Sequence, residues 1–222
     1  MRGMQLFLSQ HKHFYLLLLL IPYLILFKYI EATIVPKYII HIGLDDKIPF
    51  IKEFIIPYLM WFGYMFYGVI FLGIHSKWDF YKLFVFVAGG MFLCLILYIV
   101  FPNAQDLRPK ALGDDIFSNL IKLMYMVDTP TNVCPSIHVF DTIAVDIALR
   151  KSEHFRKIKY GRTVSTIISV SICLSTVFIK QHSALDAIYA VIMVIIFYIP
   201  IYIIWESKIK AYPSKEALKE AS

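Results

Sequence analysis

A chain of 222 residues with 59% hydrophobic and only 17% charged residues is not composed like a soluble domain, which carries about 25% charged residues. It has room for about six membrane spans of roughly 20 residues each and little left for a second domain. The formal net charge of +6 invites a nucleic-acid reading, but the basic residues gather in the connections between apolar runs, so no nucleic-acid partner is expected and the lipid bilayer is.

In chain order, the first apolar run covers 14–29 and begins "FYLLLLLIPYLILF". No small-residue cleavage site follows it and five more runs do, so the sequence predicts a retained helix rather than a signal peptide. The next connection holds Asp45, Asp46 and Lys47, a solvated cluster ahead of the second run at 54–74. The third run, 80–101, leads into "FPNAQDLRPK". In "DDIFSNLIKLMYMVD", Ile116, Leu120, Leu123 and Val127 share one helical face and Ser118, Lys122 and Tyr125 the other. That pattern suits an interfacial helix or a lid on the bundle.

The fourth run, 133–149, opens with "VCPSIHV" and is followed by the basic loop "RKSEHFRKIKYGR". The fifth and sixth runs, 163–179 and 187–205, flank "KQHSALD", and a Lys-rich tail closes the chain. Barrel-type alternation is absent, so helices are expected throughout. The expected fold is all-α, a single domain of six transmembrane helices. Basic loops mark the cytoplasmic side, which puts both termini inside and the 30–53, 102–132 and 180–186 connections outside. The Ile- and Lys-rich style points to a low-GC bacterium and its plasma membrane.

Cys94, Cys134 and Cys173 make no disulfide framework and lack metal-ligand spacing, so they read as small buried hydrophobes. His11, His13, His41, His75 and His154 lie in loops or near termini and look incidental. Asp146 reads as a hydrogen-bonding group inside the bundle.

Three polar constellations fall on the expected outer face. Arg108 stands beside Pro109, which biases it toward extended backbone. Pro135 suits a first helical turn, leaving Ser136 and the free N–H groups that follow as an anion site, with His138 one turn in. His182 and Asp186 are four residues apart on a helix start and share a face. An aspartate on one ring nitrogen sets the tautomer and frees the other nitrogen. Antiparallel fourth and fifth spans bring these groups and Lys180 to one pocket. Two histidines, an acid and cations at a helix N-terminus suit phosphate-ester transfer without a metal or cofactor.

Arg108-Pro109, Pro135-Ser136-Ile137-His138, and Ser175-Thr176 followed by five residues, His182, three residues and Asp186 resemble the three motifs of the type 2 phosphatidic acid phosphatase superfamily, which also contains the vanadium haloperoxidases. The resemblance covers about residues 98–190. It implies a six-helix lipid enzyme in which His182 is the nucleophile, Asp186 orients it, His138 is the general acid, and Arg108 and Ser136 hold phosphate.

The chain departs from the family pattern at Phe101, where a lysine is expected, at Ile137, where glycine is expected, and at Thr176, where arginine is expected. Lys180 is the replacement cation on this reading and Lys110 a weaker candidate; Ile137 contributes its N–H, Ser175 and Thr176 stand behind, and Asp141 holds His138. The substrate is a membrane lipid: phosphatidic acid, phosphatidylglycerol phosphate or a polyprenyl diphosphate. Headgroup transfer, as in the sphingomyelin and inositol phosphorylceramide synthases, and non-catalytic lipid binding or transport remain alternatives. The oligomeric state stays open.

Overall fold

A computed structural model describes residues 11–205; the basic tail (Lys208, Lys210, Lys215 and Lys219) lies outside the described residues. Among the described residues, five helices are long and apolar enough to cross a membrane: α1 (Lys12–Thr33), α2 (Lys52–His75), α3 (Lys77–Val100), α7 (Gly161–Phe178) and α8 (Ala184–Ile204). Between α3 and α7 lie α4 (Ile116–Val127), α5 (Ile137–Lys151) and the single turn α6 (Glu153–Arg156). Two short strands, β1 (Tyr38–Ile39) and β2 (Asn103–Ala104), pair in parallel and tie the loop after α1 to the loop after α3.

The expected fourth span is α5, and it is short: 15 residues, or about 22 Å at 1.5 Å per residue. That falls below the roughly 30 Å of hydrocarbon that a span must cross. The reason is its position. It packs against α2, α3, α7 and α8, so most of its surface meets protein rather than lipid. A helix sheathed in this way tolerates Asp141, Thr142 and Asp146 along its length. Asp146 accepts the Ser165 hydroxyl at 2.6 Å.

Close approach needs small residues where helices cross. A Cβ on Gly90 of α3 would stand 1.9 Å from Cε1 of Phe140 on α5, so an edge of the ring meets bare backbone. Gly68 of α2 meets Val145 in the same way. Side chains cap three of the inner helix starts. Asp115 accepts the Phe117 and Ser118 N–H groups at α4, Ser136 accepts the Val139 N–H at α5, at a long 3.4 Å, and Ser183 opens α8 with Asp186 in a capping box.

The amphipathic α4 packs on the bundle along one side, as a lid does, and leaves its other side exposed. Ile116, Leu123 and Val127 are exposed, while Ile121 and Met124 pack with Ile55, Tyr58 and Ile179. It covers the end of the bundle to which α3, α5 and α7 bring the polar motifs.

Candidate active site

Helix α7 ends in a tight reversal. Lys180 takes φ +57°, and the N–H groups of Gln181 and His182 both donate to the Thr176 carbonyl, at 3.0 and 2.9 Å. This is a helix terminus closed through a left-handed residue, a place that usually favours glycine. It delivers His182 directly beside the start of α8. There the Asp186 carboxylate accepts the Ser183 N–H at 2.9 Å and meets His182 Nδ1 at 3.2 Å. Both side chains are buried. A carboxylate on Nδ1 makes that nitrogen the donor and leaves Nε2 with its lone pair. The Cys134 thiol stands close by, and burial together with the Asp186 carboxylate pushes its pKa up.

The second motif is locked to the third. Asn103 of β2, fully buried, accepts the N–H groups of Val133 and Cys134 and donates to the Cys134 carbonyl. The next free N–H, that of Ser136, donates to the Asp186 carbonyl at 3.2 Å. His138 follows on the first turn of α5, its ring centroid 5.7 Å from that of His182. Two aromatic rings of α2 hold it, Tyr58 at 4.8 Å and Trp61 at 4.7 Å between centroids.

The Tyr58 hydroxyl donates to Asp128 and lies 3.1 Å from His138 Nε2. With its one proton spent on Asp128, the hydroxyl accepts from Nε2–H. The neutral His138 therefore carries its proton on Nε2, and a second proton would sit on Nδ1.

Asp141 does not hold His138. Neither of its carboxylate oxygens has a hydrogen-bond partner among the described residues, although it is fully buried. One turn deeper on α5, it lines an apolar crevice bounded by α1, α2 and α3. The carboxylate nearest the His138 ring is instead Asp128, 4.0 Å from Nε2.

Arg108 comes to the same end of the bundle. Its guanidinium donates to the carbonyls of Tyr125 (3.1 Å) and Asp128 and to Gln181 Oε1 (2.6 Å), and it lies 3.9 Å from the Tyr125 ring centroid. All of these acceptors are neutral, and Nε has no partner among the described residues. Burial pulls the Arg108 pKa down, opposed by Tyr125 and Asp128; a guanidinium stays charged regardless. Through Gln181, the residue before His182, Arg108 is tied to the His182 turn.

Lys180 is placed differently from its expected role. Its Nζ donates to the carbonyls of Asp45 and Ile48, each at 2.6 Å. The left-handed backbone that closes α7 turns this side chain onto the loop before α2. Asp45 of that loop accepts the Ser183 hydroxyl (2.6 Å) and the Ala184 N–H (2.8 Å), so lysine and aspartate together clamp the His182 turn. Lys110 is exposed. The Ser175 and Thr176 hydroxyls bond back into α7, and Thr176 supports His182 only through its carbonyl. Ile137 opens α5 directly after Ser136.

Sequence reading left out Asn103, Gln105 (whose side-chain amide donates to the Lys180 carbonyl at 3.1 Å), Gln181, Tyr58, Trp61 and Asp128, and it took Asp45, which is buried, for part of a solvated cluster. Two of them stood in "FPNAQDLRPK", a stretch singled out for Arg108 alone. No group of three or more His, Cys, Asp or Glu among the described residues is placed to hold a metal ion. Comparison with protein-family models, curated proteins and solved structures finds no match for this chain.

Proposed function

We propose that the protein is an integral-membrane lipid phosphatase of the type 2 phosphatidic acid phosphatase kind, working through a phosphohistidine. The observation that carries this reading is the His182–Asp186 pair beside His138, with the Nδ1 of His182 engaged and its Nε2 without a hydrogen-bond partner among the described residues. Nε2 attacks phosphorus, the bond from phosphorus to the lipid oxygen breaks, and His138, entering doubly protonated, gives one proton to that oxygen and is left neutral. Water then gives a proton to His138, attacks the phosphohistidine and releases inorganic phosphate with His182 restored.

Arg108 supplies fixed positive charge to the transferring group. Its donors now rest on neutral acceptors, which an anionic phosphate displaces at little cost because such bonds are stronger when the acceptor is charged. Asp128 sets the proton on His138 through Tyr58. In this reading α5 completes a bundle of six helices, the basic loop around α6 faces the cytoplasm, and the site opens on the extracytoplasmic side of the plasma membrane.

The test is product analysis with the detergent-purified protein in a chelator, against a panel of lipid phosphates with a neutral lipid alcohol present. Release of inorganic phosphate that disappears in His182→Ala supports the phosphatase. A new phosphorylated lipid without free phosphate makes the protein a headgroup transferase on the same residues. Absence of both overturns the reading.

A further inference from the structure

We infer that the basic pocket between α5, α7 and α8 binds the phosphate of an anionic phospholipid in the membrane leaflet opposite the His182 site. The inference does not depend on the phosphatase reading, because it concerns the other end of the bundle. Arg150 lies twelve residues beyond His138 on α5, about 18 Å along the helix axis.

The pocket has a volume of about 490 Å³. Arg150 and Lys151 at the end of α5, Arg156 of α6 and Arg162 at the start of α7 supply its charge. Val194, Ile195 and Tyr198 of α8 supply most of its apolar surface. Ile195 is 54% exposed, so that surface continues onto the lipid-facing side of α8. Trp78 and Trp205, whose ring centroids lie 6.5 Å apart, mark this end of the bundle as the membrane–water interface, the level of phospholipid headgroups.

Four cations around one cavity repel one another unless an anion joins them, and the protein supplies little negative charge. Asp146 stands 4.0 Å from Arg150 Nε and already accepts the Ser165 hydroxyl. Glu153 of α6 is exposed and pairs with none of the four among the described residues. The remaining partners are neutral. Arg150 donates to Thr166 Oγ1 at 2.6 Å and to the Arg162 carbonyl at 3.5 Å, and Arg156 donates to the Arg150 carbonyl at 3.2 Å. Lys151 Nζ lies 5.5 Å from the Tyr198 ring centroid. The Arg162 guanidinium has no hydrogen-bond partner among the described residues. In the first turn of α7 its charge also opposes the helix dipole, and an anion beside it reverses that penalty.

Guanidinium forks match the oxygens of a phosphate, and basic pockets between membrane helices hold phospholipid headgroups. A headgroup with an amine would bring a further cation into the cluster, so the headgroup that fits has a phosphodiester and no amine. Free phosphate would meet the arginines and leave the apolar surface of α8 unused.

The test is melting of the purified protein in a neutral detergent with phosphatidylglycerol, phosphatidylcholine or inorganic phosphate. Phosphatidylglycerol at saturation should raise the midpoint by roughly 3–6 °C, and phosphatidylcholine should not. In the double variant Lys151→Gln, Arg162→Gln the rise should vanish; neither charged group holds a hydrogen bond that folding needs. The double variant Lys12→Gln, Lys77→Gln removes the same charge from exposed positions at the same end of the bundle and should keep the rise. Native mass spectrometry, counting phosphatidylglycerol retained per chain, reads the same differences without unfolding. Equal stabilisation by the two lipids, or equal loss in the two double variants, would overturn the inference and leave a general attraction of basic loops for anionic lipid. A phosphatidylglycerol effect that survives Lys151→Gln, Arg162→Gln belongs to another site, the His182 pocket included, and overturns it as well. Inorganic phosphate that matches phosphatidylglycerol would overturn the lipid as the source of the phosphate.

Discussion

The main-chain N–H of Ser136 donates to the main-chain carbonyl of Asp186 at 3.2 Å, so the start of α5 and the start of α8 are fastened together at the backbone. His138 lies two residues beyond one end of this bond and His182 four residues before the other. The separation of the two rings is therefore set by atoms that no side-chain substitution removes. Chemistry and geometry can be tested separately at this site.

Asp186→Asn uses that separation. Asparagine still offers an oxygen to the Ser183 N–H, and the backbone bond to Ser136 is untouched, so melting should change by less than about 1 kcal/mol, the size of an altered cap. The negative charge that fixes the His182 tautomer is lost. Phosphate release should fall by on the order of 10²- to 10⁴-fold, the range in which orienting aspartates act. Thermal unfolding in detergent beside initial rates checks both halves. A large loss of stability with a small loss of rate would make Asp186 a helix cap and little else.

Tyr58→Phe cuts the chain from His138 through the hydroxyl to Asp128. Phenylalanine keeps the ring that packs at 4.8 Å from the imidazole, so KM should hold within a factor of a few. The proton on His138 loses its assigned nitrogen, and kcat should fall by on the order of tenfold to a hundredfold, within the range for general acid–base groups. Full pH–rate profiles of the two proteins should differ on the limb that reports His138. Superimposable profiles would remove Tyr58 from the proton path.

Lys180 and Arg108 are both cations near His182, yet they should fail differently. Lys180→Met frees the carbonyls of Asp45 and Ile48 and loosens the clamp on the His182 turn. The expected result is a stability loss of about 1.5–3 kcal/mol, the scale of a charged hydrogen bond, with KM for lipid phosphate little changed. Arg108→Lys keeps the charge but loses the planar fork, so KM should rise about tenfold while melting moves less. A reversed pattern would return Lys180 to the phosphate.

Hydropathy and spacing made much of this legible. The apolar runs give α1, α2, α3, α7 and α8 because a long span is a local property of its own residues. That His138, His182 and Asp186 come together was legible because helix starts and an i, i+4 spacing signal a shared face. The fourth run, 133–149, already reads as short, but its residues do not show that protein surrounds α5: an apolar window looks the same whether its neighbours are lipid or protein. Asn103, Tyr58 and Asp128 were missed, and the buried Asp45 was taken for a solvated group, for a related reason. Each works through a partner far along the chain, as Asp45 does with Ser183, and nothing near it in sequence marks the pairing. Lys180 misled because its left-handed backbone, invisible in the residue pattern, turns the side chain from phosphate to loop.

His41 gives the clamp a pH dependence. Its Nε2 meets Asp46 at 2.8 Å and its Nδ1 meets Asp106 at 3.1 Å; the bond to Asp46 contributes most to raising its pKa above the usual 6.5. A folded-state value above the unfolded one means stability that is fully present below about pH 6.5. It is lost as pH rises through the raised value. Hydrogen exchange at Asp45 and Ala184 should therefore quicken between neutral and mildly alkaline pH beyond the ordinary chemical trend. His41→Gln should show only that trend, and an unchanged profile in the variant would exclude the histidine as the cause.

Gly90→Ala tests whether the central helix is held by contact between α3 and α5. The new methyl would fall 1.9 Å from Cε1 and 2.2 Å from Cζ of Phe140, a fully buried ring that cannot swing away into lipid. Overpacking of this kind costs about 1–3 kcal/mol, and displacing α5 moves His138 relative to His182, so rate and melting should fall together. Phe140→Leu removes the two closest of the three clashing atoms. Combined with Gly90→Ala, it should recover at least about 1 kcal/mol relative to the sum of the single changes. Strict additivity in that cycle would mean that α5 is positioned by its other neighbours, α2, α7 and α8, and that the Gly90 contact is incidental to the site.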